Sequence, residues 1–289
     1  MASRVAVLIG AGALSLSAAC ASTIPHAKKL ASAGAAYGRA TDKLIGVAEE
    51  TSLDADSARL LSEAQGLSRE DRRALLEKHA AAADLVGELE KLRKHSRLLT
   101  RYFEALGALA DDTVDTEAAN QINGIAGSLN SAGQALSGSK LLSPAETDLI
   151  SKAGRLTVRA VRSAALSREL AARADTIDRE LRIQQAFLAA LRRKVQADLA
   201  SIASLGRERD ITRPFLEGSI ADQRAWIELR RSYVLAPRSV EALSDASEAA
   251  SKLRSAWAAF VEGRVDESAL LSDLEAVISF AESAKAVLP

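Results

Sequence analysis

Between residues 75 and 106 the chain repeats Leu75, Ala82, Leu85, Leu89, Leu92, Ser96, Leu99, Phe103 and Leu106 at alternating steps of three and four, with Lys78 filling the remaining place. A stripe of that period runs down one side of an α-helix, because 3.6 residues make a turn. About five such repeats predict one helix of roughly forty residues, about 60 Å long at 1.5 Å per residue. A helix of that length must bury its seam along partners of similar length, so an elongated bundle is the expected architecture.

The partners are legible too. From Ile24 to about Gln65 the pattern is helical, with Pro25 near the start, where its missing N–H costs nothing. Ala27, Ala31, Gly34, Ala35 and Gly38 give this helix a small-sided face that lets a neighbour approach closely. Ser68 with Asp71 forms an acidic helix start, and Ser143-Pro144-Ala145-Glu146 a full capping box with proline at the first helical position. From there to about Leu205 only Gly154 interrupts, and Ile177, Leu181, Leu188, Leu191, Val195, Leu199 and Ile202 mark a second long stripe. Between the two long helices, Asp111-Asp112-Thr113 predicts a break, and Ile122, Ile125, Leu129 and Leu136 a short helix.

The stretch GRERDITRP, 206–214, is charged and aperiodic and predicts an interruption. Shorter helices follow: one lined by Leu216, Ile220, Ile227 and Val234, one by Val240, Leu243, Leu253, Trp257 and Phe260 after Pro237, and one by Leu270, Leu274, Val277 and Ile278 after Gly263. No stretch alternates apolar and polar residues between turns, so no sheet is expected. The fold class is all-α: an elongated antiparallel bundle with long coiled-coil-like helices over 24–210, and shorter helices over 211–289 packed on or continuous with it.

Composition agrees and excludes several function classes. Apolar residues make up 48% but aromatics only 3%, so the core must be built from Ala, Leu, Ile and Val. The formal net charge is zero. A nucleic-acid binder needs a basic excess for phosphate contacts, and clusters such as Arg192-Arg193-Lys194 and Arg230-Arg231 read as solvated helix faces.

No catalytic constellation emerges. A helical di-iron site needs Glu-x-x-His on two helices, whereas Leu76 and Leu92 precede His79 and His95 by three; these histidines, with His26, are the only ones in the chain. There is no His-Glu-x-x-His, no cysteine pair for zinc and no Gly-x-Ser-x-Gly. The segment GQALSGSK, 133–140, places Ser139 before Lys140, the reverse of a phosphate loop, and reads as a helix end with Gly138 as its cap. Glu49-Glu50 and Asp111-Asp112 sit in solvated contexts, and Trp226, Trp257, Tyr102 and Phe103 read as core aromatics rather than a ligand slot. The expectation is a non-enzyme without metal or cofactor.

The first twenty residues, MASRVAVLIGAGALSLSAAC, contain one charge, Arg4, then an apolar run of twelve, too short to cross a hydrocarbon core. That pattern is an export signal. Its end, Leu16-Ser17-Ala18-Ala19-Cys20, resembles the lipobox of bacterial lipoprotein precursors, with Ser17 where the family prefers Leu. The resemblance implies removal of 1–19, a diacylglyceryl group on the Cys20 sulfur, and a short tether over 20–23. With Ala21 rather than Asp next, it also implies the outer membrane, facing the periplasm. Ordinary cleavage is the alternative, since Ala19-Cys20-Ala21 fits the small-x-small rule. Cys20 is the only cysteine, so no disulfide can form within one chain.

These features lead to the expectation of a lipid-anchored cell-envelope protein acting as a non-catalytic protein-binding or structural module with a protein partner and no nucleic acid. The alternative is a membrane-active or pore-forming helical protein; an enzyme with a dispersed site is the remoter one.

Overall fold

The first long helix, α1 (Thr23–Glu63), is the one against which four others pack. The structure, a computed structural model, describes residues 23–79, 81–110, 116–152, 155–158, 164–263 and 266–287. Cys20 and the signal-like segment lie outside the described residues, as do Asp111-Asp112-Thr113 and Gly154.

The small-sided face of α1 receives α3 (Ala81–Leu109). A Cβ added to Gly34 would stand 2.3 Å from Phe103 Cγ, and one on Gly38 would stand 2.3 Å from Thr100 Oγ1 and 2.9 Å from the Ser96 carbonyl oxygen. The close approach expected from Gly34 and Gly38 is therefore present, and only hydrogen at these positions permits it. The pairing is antiparallel, as the ion pairs along its edge show: Arg39–Glu104 at 2.6 Å, and Arg97 and Arg93 on Asp42 at 3.2 and 3.1 Å.

The forty-residue helix expected over the first seam is divided in two. Here α2 (Arg69–Lys78) ends at His79, whose N–H donates to the Leu75 carbonyl, and α3 begins at Ala81. Ser68 caps α2 by accepting from the Asp71 N–H, as its sequence indicated. The buried stripe starts at Leu89 and continues through Leu92, Ser96, Leu99, Phe103 and Leu106, while Leu76 is exposed.

Beyond it, α4 (Thr116–Ser137) buries Ile122, Leu129 and Leu136. The capping box at Ser143 forms: Glu146 Oε2 accepts from both the N–H and the hydroxyl of Ser143, each at 2.8 Å. The helix it starts, α5 (Pro144–Ser151), nevertheless lasts only two turns. The second long stripe belongs to α6 (Ala164–Gly206), 43 residues rich in Ala, Leu, Arg and Glu and free of proline. Residues 155–158 between them have no regular structure, and the Leu156 N–H donates to Asp175 Oδ1 at 2.6 Å.

The interruption expected at 206–214 is instead helical. Arg207–Thr212 form a π-helical turn that runs into α7 (Arg213–Leu216). Then come α8 (Gln223–Leu235), capped by the Asp222 carboxylate on two backbone N–H groups, α9 (Pro237–Glu262) and α10 (Glu267–Val287). Gly263 ends α9 in the left-handed conformation, φ 61°, which a side chain would resist.

One apolar cluster runs from Ala27 to Ala284 and includes α9 and α10. The pairing of Lys252 with Asp273 makes α9 and α10 antiparallel, and Trp257 Nε1 donating to Ala174 O with Ser247 on Gln185 O makes α9 antiparallel to α6. The ring contacts Tyr102–Phe103, Tyr102–Trp257 and Phe103–Trp257, at 5.7, 6.3 and 6.2 Å, are all edge-on and join α3 to α9. Each such pair adds about 0.5–1.5 kcal/mol beyond its area. Among the described residues there is no strand, and the protein is an elongated all-α bundle.

Candidate functional site

Two polar networks lie inside the bundle. In the first, His95 Nε2 donates to Glu180 Oε2 at 2.9 Å, with neither side chain exposed. Gln184 Nε2 donates to His95 Nδ1 at 2.7 Å and to Ser96 Oγ at 3.0 Å. The other oxygen of Glu180 takes Arg179 at 2.7 Å, and the carboxylate lies against Gly133, where a Cβ would stand 1.8 Å from Oε2. Gly133 thus serves close helix packing and not phosphate binding.

The second network centres on Asp198, which is buried. It accepts from Ser52 at 2.8 Å and Arg59 at 2.9 Å and pairs with Lys194. Arg193 forms a two-bond pair with Glu146, at 2.6 and 2.9 Å. The cluster Arg192-Arg193-Lys194, expected on a solvated face, therefore supplies two inter-element or intra-helix ties. Both networks fasten helices together, and the second borders a cleft through Ser52, Arg59 and Lys194.

The remaining candidates are placed as follows. His79 Nδ1 is 2.9 Å from Asp56 at the joint between α2 and α3, and this hydrogen bond raises its pKa above the ordinary imidazole value. His26 is buried with Nε2 3.3 Å from Glu267. Tyr102, Phe103 and Trp257 are core, as expected, whereas Trp226 stacks on Phe215 with centroids 5.6 Å apart. Burial raises the Tyr102 hydroxyl well above its ordinary pKa, with the charge of Glu169 adding to it. Burial likewise raises Glu169, against Arg173 at 3.7 Å. Glu49 faces Arg93 at 3.7 Å. Among the described residues no group of three or more His, Cys, Asp or Glu is placed to hold a metal ion.

The surface that stands out is at one end, the end where α1 and α6 finish. The residues expected to line a buried helix, Leu216, Ile227 and Val234, are 75, 50 and 59% exposed, and Phe215 is 62% exposed. The α7–α8 unit touches the bundle chiefly through the π-helical turn and the start of α9, so its apolar positions have nothing to cover them. Trp226 Nε1 donates to the Ile211 carbonyl at 3.2 Å and fixes the unit to that turn. π-Helical turns recur at functional positions because they redirect the chain without ending the helix.

Beneath α8 lies an open-sided slot of about 810 Å³. Val47, Ala58 and Leu61 of α1, Leu199, Ile202 and Ala203 of α6, and Leu229 and Leu235 of α8 form its walls. A second cleft of about 660 Å³, between α1, α3 and the 138–141 turn, carries charges of both signs: Arg59, Lys91, Lys140 and Lys194 share it with Glu49, Asp56, Asp84 and Glu88. Sequence periodicity missed both networks and the slot. A signal was present for the networks: Gln184 fills the gap between Leu181 and Leu188, and Asp198 stands beside Val195 and Leu199 on the same stripe. Comparison with known proteins finds no matching family model, curated protein or solved structure.

Proposed function

We propose that the chain is a lipid-anchored protein of the cell envelope, held through Cys20 in the outer membrane and facing the periplasm, and that it works as a non-catalytic module binding a protein partner at its far end. The observation that carries the reading is the exposed apolar unit of Phe215, Leu216, Ile227 and Val234. Contiguous apolar surface rimmed by charge marks interaction sites in soluble folds, and Arg213, Arg224, Arg230 and Arg231 stand beside these residues in the chain.

The geometry suits such a role. The first described residue of α1, Thr23, is three residues beyond Cys20, and the 41 residues of α1 carry the opposite end about 60 Å away. The buried networks of His95 and Asp198 and the tight α1–α3 contact support a stiff spacer. Among the described residues no helix is long and apolar enough to cross a membrane.

The test has two arms. Cys20→Ser should move the protein from the membrane to the soluble fraction or block its processing; unchanged fractionation and processing would refute the anchor. A photocrosslinker at Ile227 or Val234 in intact cells should yield one discrete protein adduct that a crosslinker at Arg192 does not. Crosslinks at Ile227 that are diffuse, or that survive Val234→Asp unchanged, would refute the binding surface.

A further inference from the structure

The slot under α8 has walls from three helices but no filling. Its inward residues Leu229 and Leu235 face α1 and α6 across a space that neither helix closes. The unit is held off rather than collapsed. Tyr233 anchors it by resting its hydroxyl over Gly206, where a Cβ would stand 2.2 Å away, and Trp226 is bonded to the π-helical turn.

The chemistry of the walls selects what fits. Five hydroxyls line the slot; that of Tyr233 rests over Gly206, and the other four each donate to a backbone carbonyl one turn back: Thr51 to Val47 at 2.9 Å, Ser57 to Leu53 at 2.8 Å, Ser232 to Leu229 and Ser239 to Ala236 at 2.7 Å. The donor protons of these four are used, and the wall backbones are hydrogen-bonded within helices. A peptide or sugar entering here would lose its hydration with few partners to replace it, which costs free energy for every buried polar group. A hydrocarbon chain has no such groups to satisfy.

Size points the same way. The volume of the slot is about 810 Å³. That volume is within the roughly 300–1,000 Å³ typical of sites for small ligands. The charges at the slot are Asp54, Arg207, Arg209 and Asp210. Arg209 is tied to Asp210 by two bonds, 2.6 and 2.8 Å. The Arg207 side chain has no hydrogen bond or ion pair among the described residues, which leaves one guanidinium to meet an anionic group.

From this we infer that the slot binds a single acyl chain whose anionic head, a carboxylate or a phosphate, lies against Arg207. The inference is independent of the anchor at Cys20 and of any protein docked on the outer face of α8.

The test uses the full chain carrying Cys20→Ser, so that no covalent acyl group competes, titrated calorimetrically with octanoate, decanoate, dodecanoate and tetradecanoate below their micelle concentrations. Binding should be one to one and tighten about three- to fourfold for each methylene buried, then level off when the slot is full. Ala58→Phe and Ala203→Phe, which fill the slot from the α1 and the α6 wall, should each weaken dodecanoate at least tenfold while the helical circular-dichroism spectrum is unchanged. Arg207→Ala should weaken dodecanoate several-fold and leave dodecanol unaffected. Lysophosphatidylglycerol against dodecanoate distinguishes a phosphate head from a carboxylate, whichever binds more tightly. Absence of saturable binding in the unfilled chain would overturn the inference, as would affinity that keeps rising with chain length or that stays at the unfilled chain's value in both filled variants. An unchanged dodecanoate affinity in Arg207→Ala would overturn the assignment of the head.

Discussion

Ser96 and Gln184 each interrupt an otherwise apolar seam, and they meet: Gln184 Nε2 donates to Ser96 Oγ at 3.0 Å across the α3–α6 interface. His95 and Glu180 sit beside them, so four polar side chains from two helices close on one another inside the core. Only one axial alignment of α3 against α6 brings them together, and paired polar groups in a seam are a known way to fix register at a cost in stability. Gln184→Leu should therefore lower unfolding stability by about 1–3 kcal/mol, since His95 and Ser96 lose a donor. His95→Leu should cost more, about 3–5 kcal/mol, because Glu180 stays buried with Arg179 as its remaining partner. Urea denaturation followed by circular dichroism checks both; midpoints unchanged from the parent would show that the network does not constrain the interface.

Glycines on helix faces fall into two groups that should respond oppositely to the same substitution. Gly34→Ala and Gly133→Ala insert a methyl 2.3 Å from Phe103 Cγ and 1.8 Å from Glu180 Oε2, and overpacking of that kind costs about 1–3 kcal/mol. Gly127→Ala meets nothing within 4 Å and should stabilise by up to about 1 kcal/mol through helix propensity. Thermal melts of the three variants should fall on opposite sides of the parent. A lower melting temperature for Gly127→Ala would contradict the open environment assigned to α4 there.

Glu146 links a cap to a long-range ion pair. Burial opposes its ionisation, but the two bonds from Arg193 and those from the Ser143 N–H and hydroxyl outweigh it and hold the carboxyl below its ordinary pKa. A carboxyl lowered in the folded state stabilises the protein above its unfolded value, about 4.3, and that contribution is lost as pH falls through the folded value. Glu146→Gln should cost about 1–2 kcal/mol near neutrality, and the gap between variant and parent should narrow as the pH is taken from 6 to 3. A gap independent of pH would place the effect of Glu146 in packing rather than charge.

At the joint between α2 and α3, the hydrogen bond that His79 donates to Asp56 raises its pKa, partial desolvation lowers it less, and Glu63 at 3.6 Å adds to the rise. The imidazolium form should persist above the ordinary histidine range, and its support of the joint should fade as pH rises through the raised value. Asp56→Asn should bring the His79 titration down by one-dimensional or heteronuclear NMR. A titration that does not move would show that Asp56 is not its partner in solution.

What the sequence by itself determined was everything periodicity and local chemistry can encode. The stripes from Leu89 to Leu106 and from Ile177 to Val195 are buried as their spacing required, the Ser68 and Ser143 caps form, and the Gly34–Gly38 face takes a close neighbour. Local signals failed where stability depends on distant partners. The first seam is divided by a joint at His79, held by Asp56 of another helix. The charged 206–214 stretch stays helical because a π-helical turn carries the chain into α7. Ile227 and Val234 carry a helical apolar pattern yet remain exposed, because the stripe states that a face is apolar and not whether another helix will reach it. Only the tertiary structure decides that, through the lengths of α1 and α6: they end beside α8, leaving the slot and the outer apolar face uncovered.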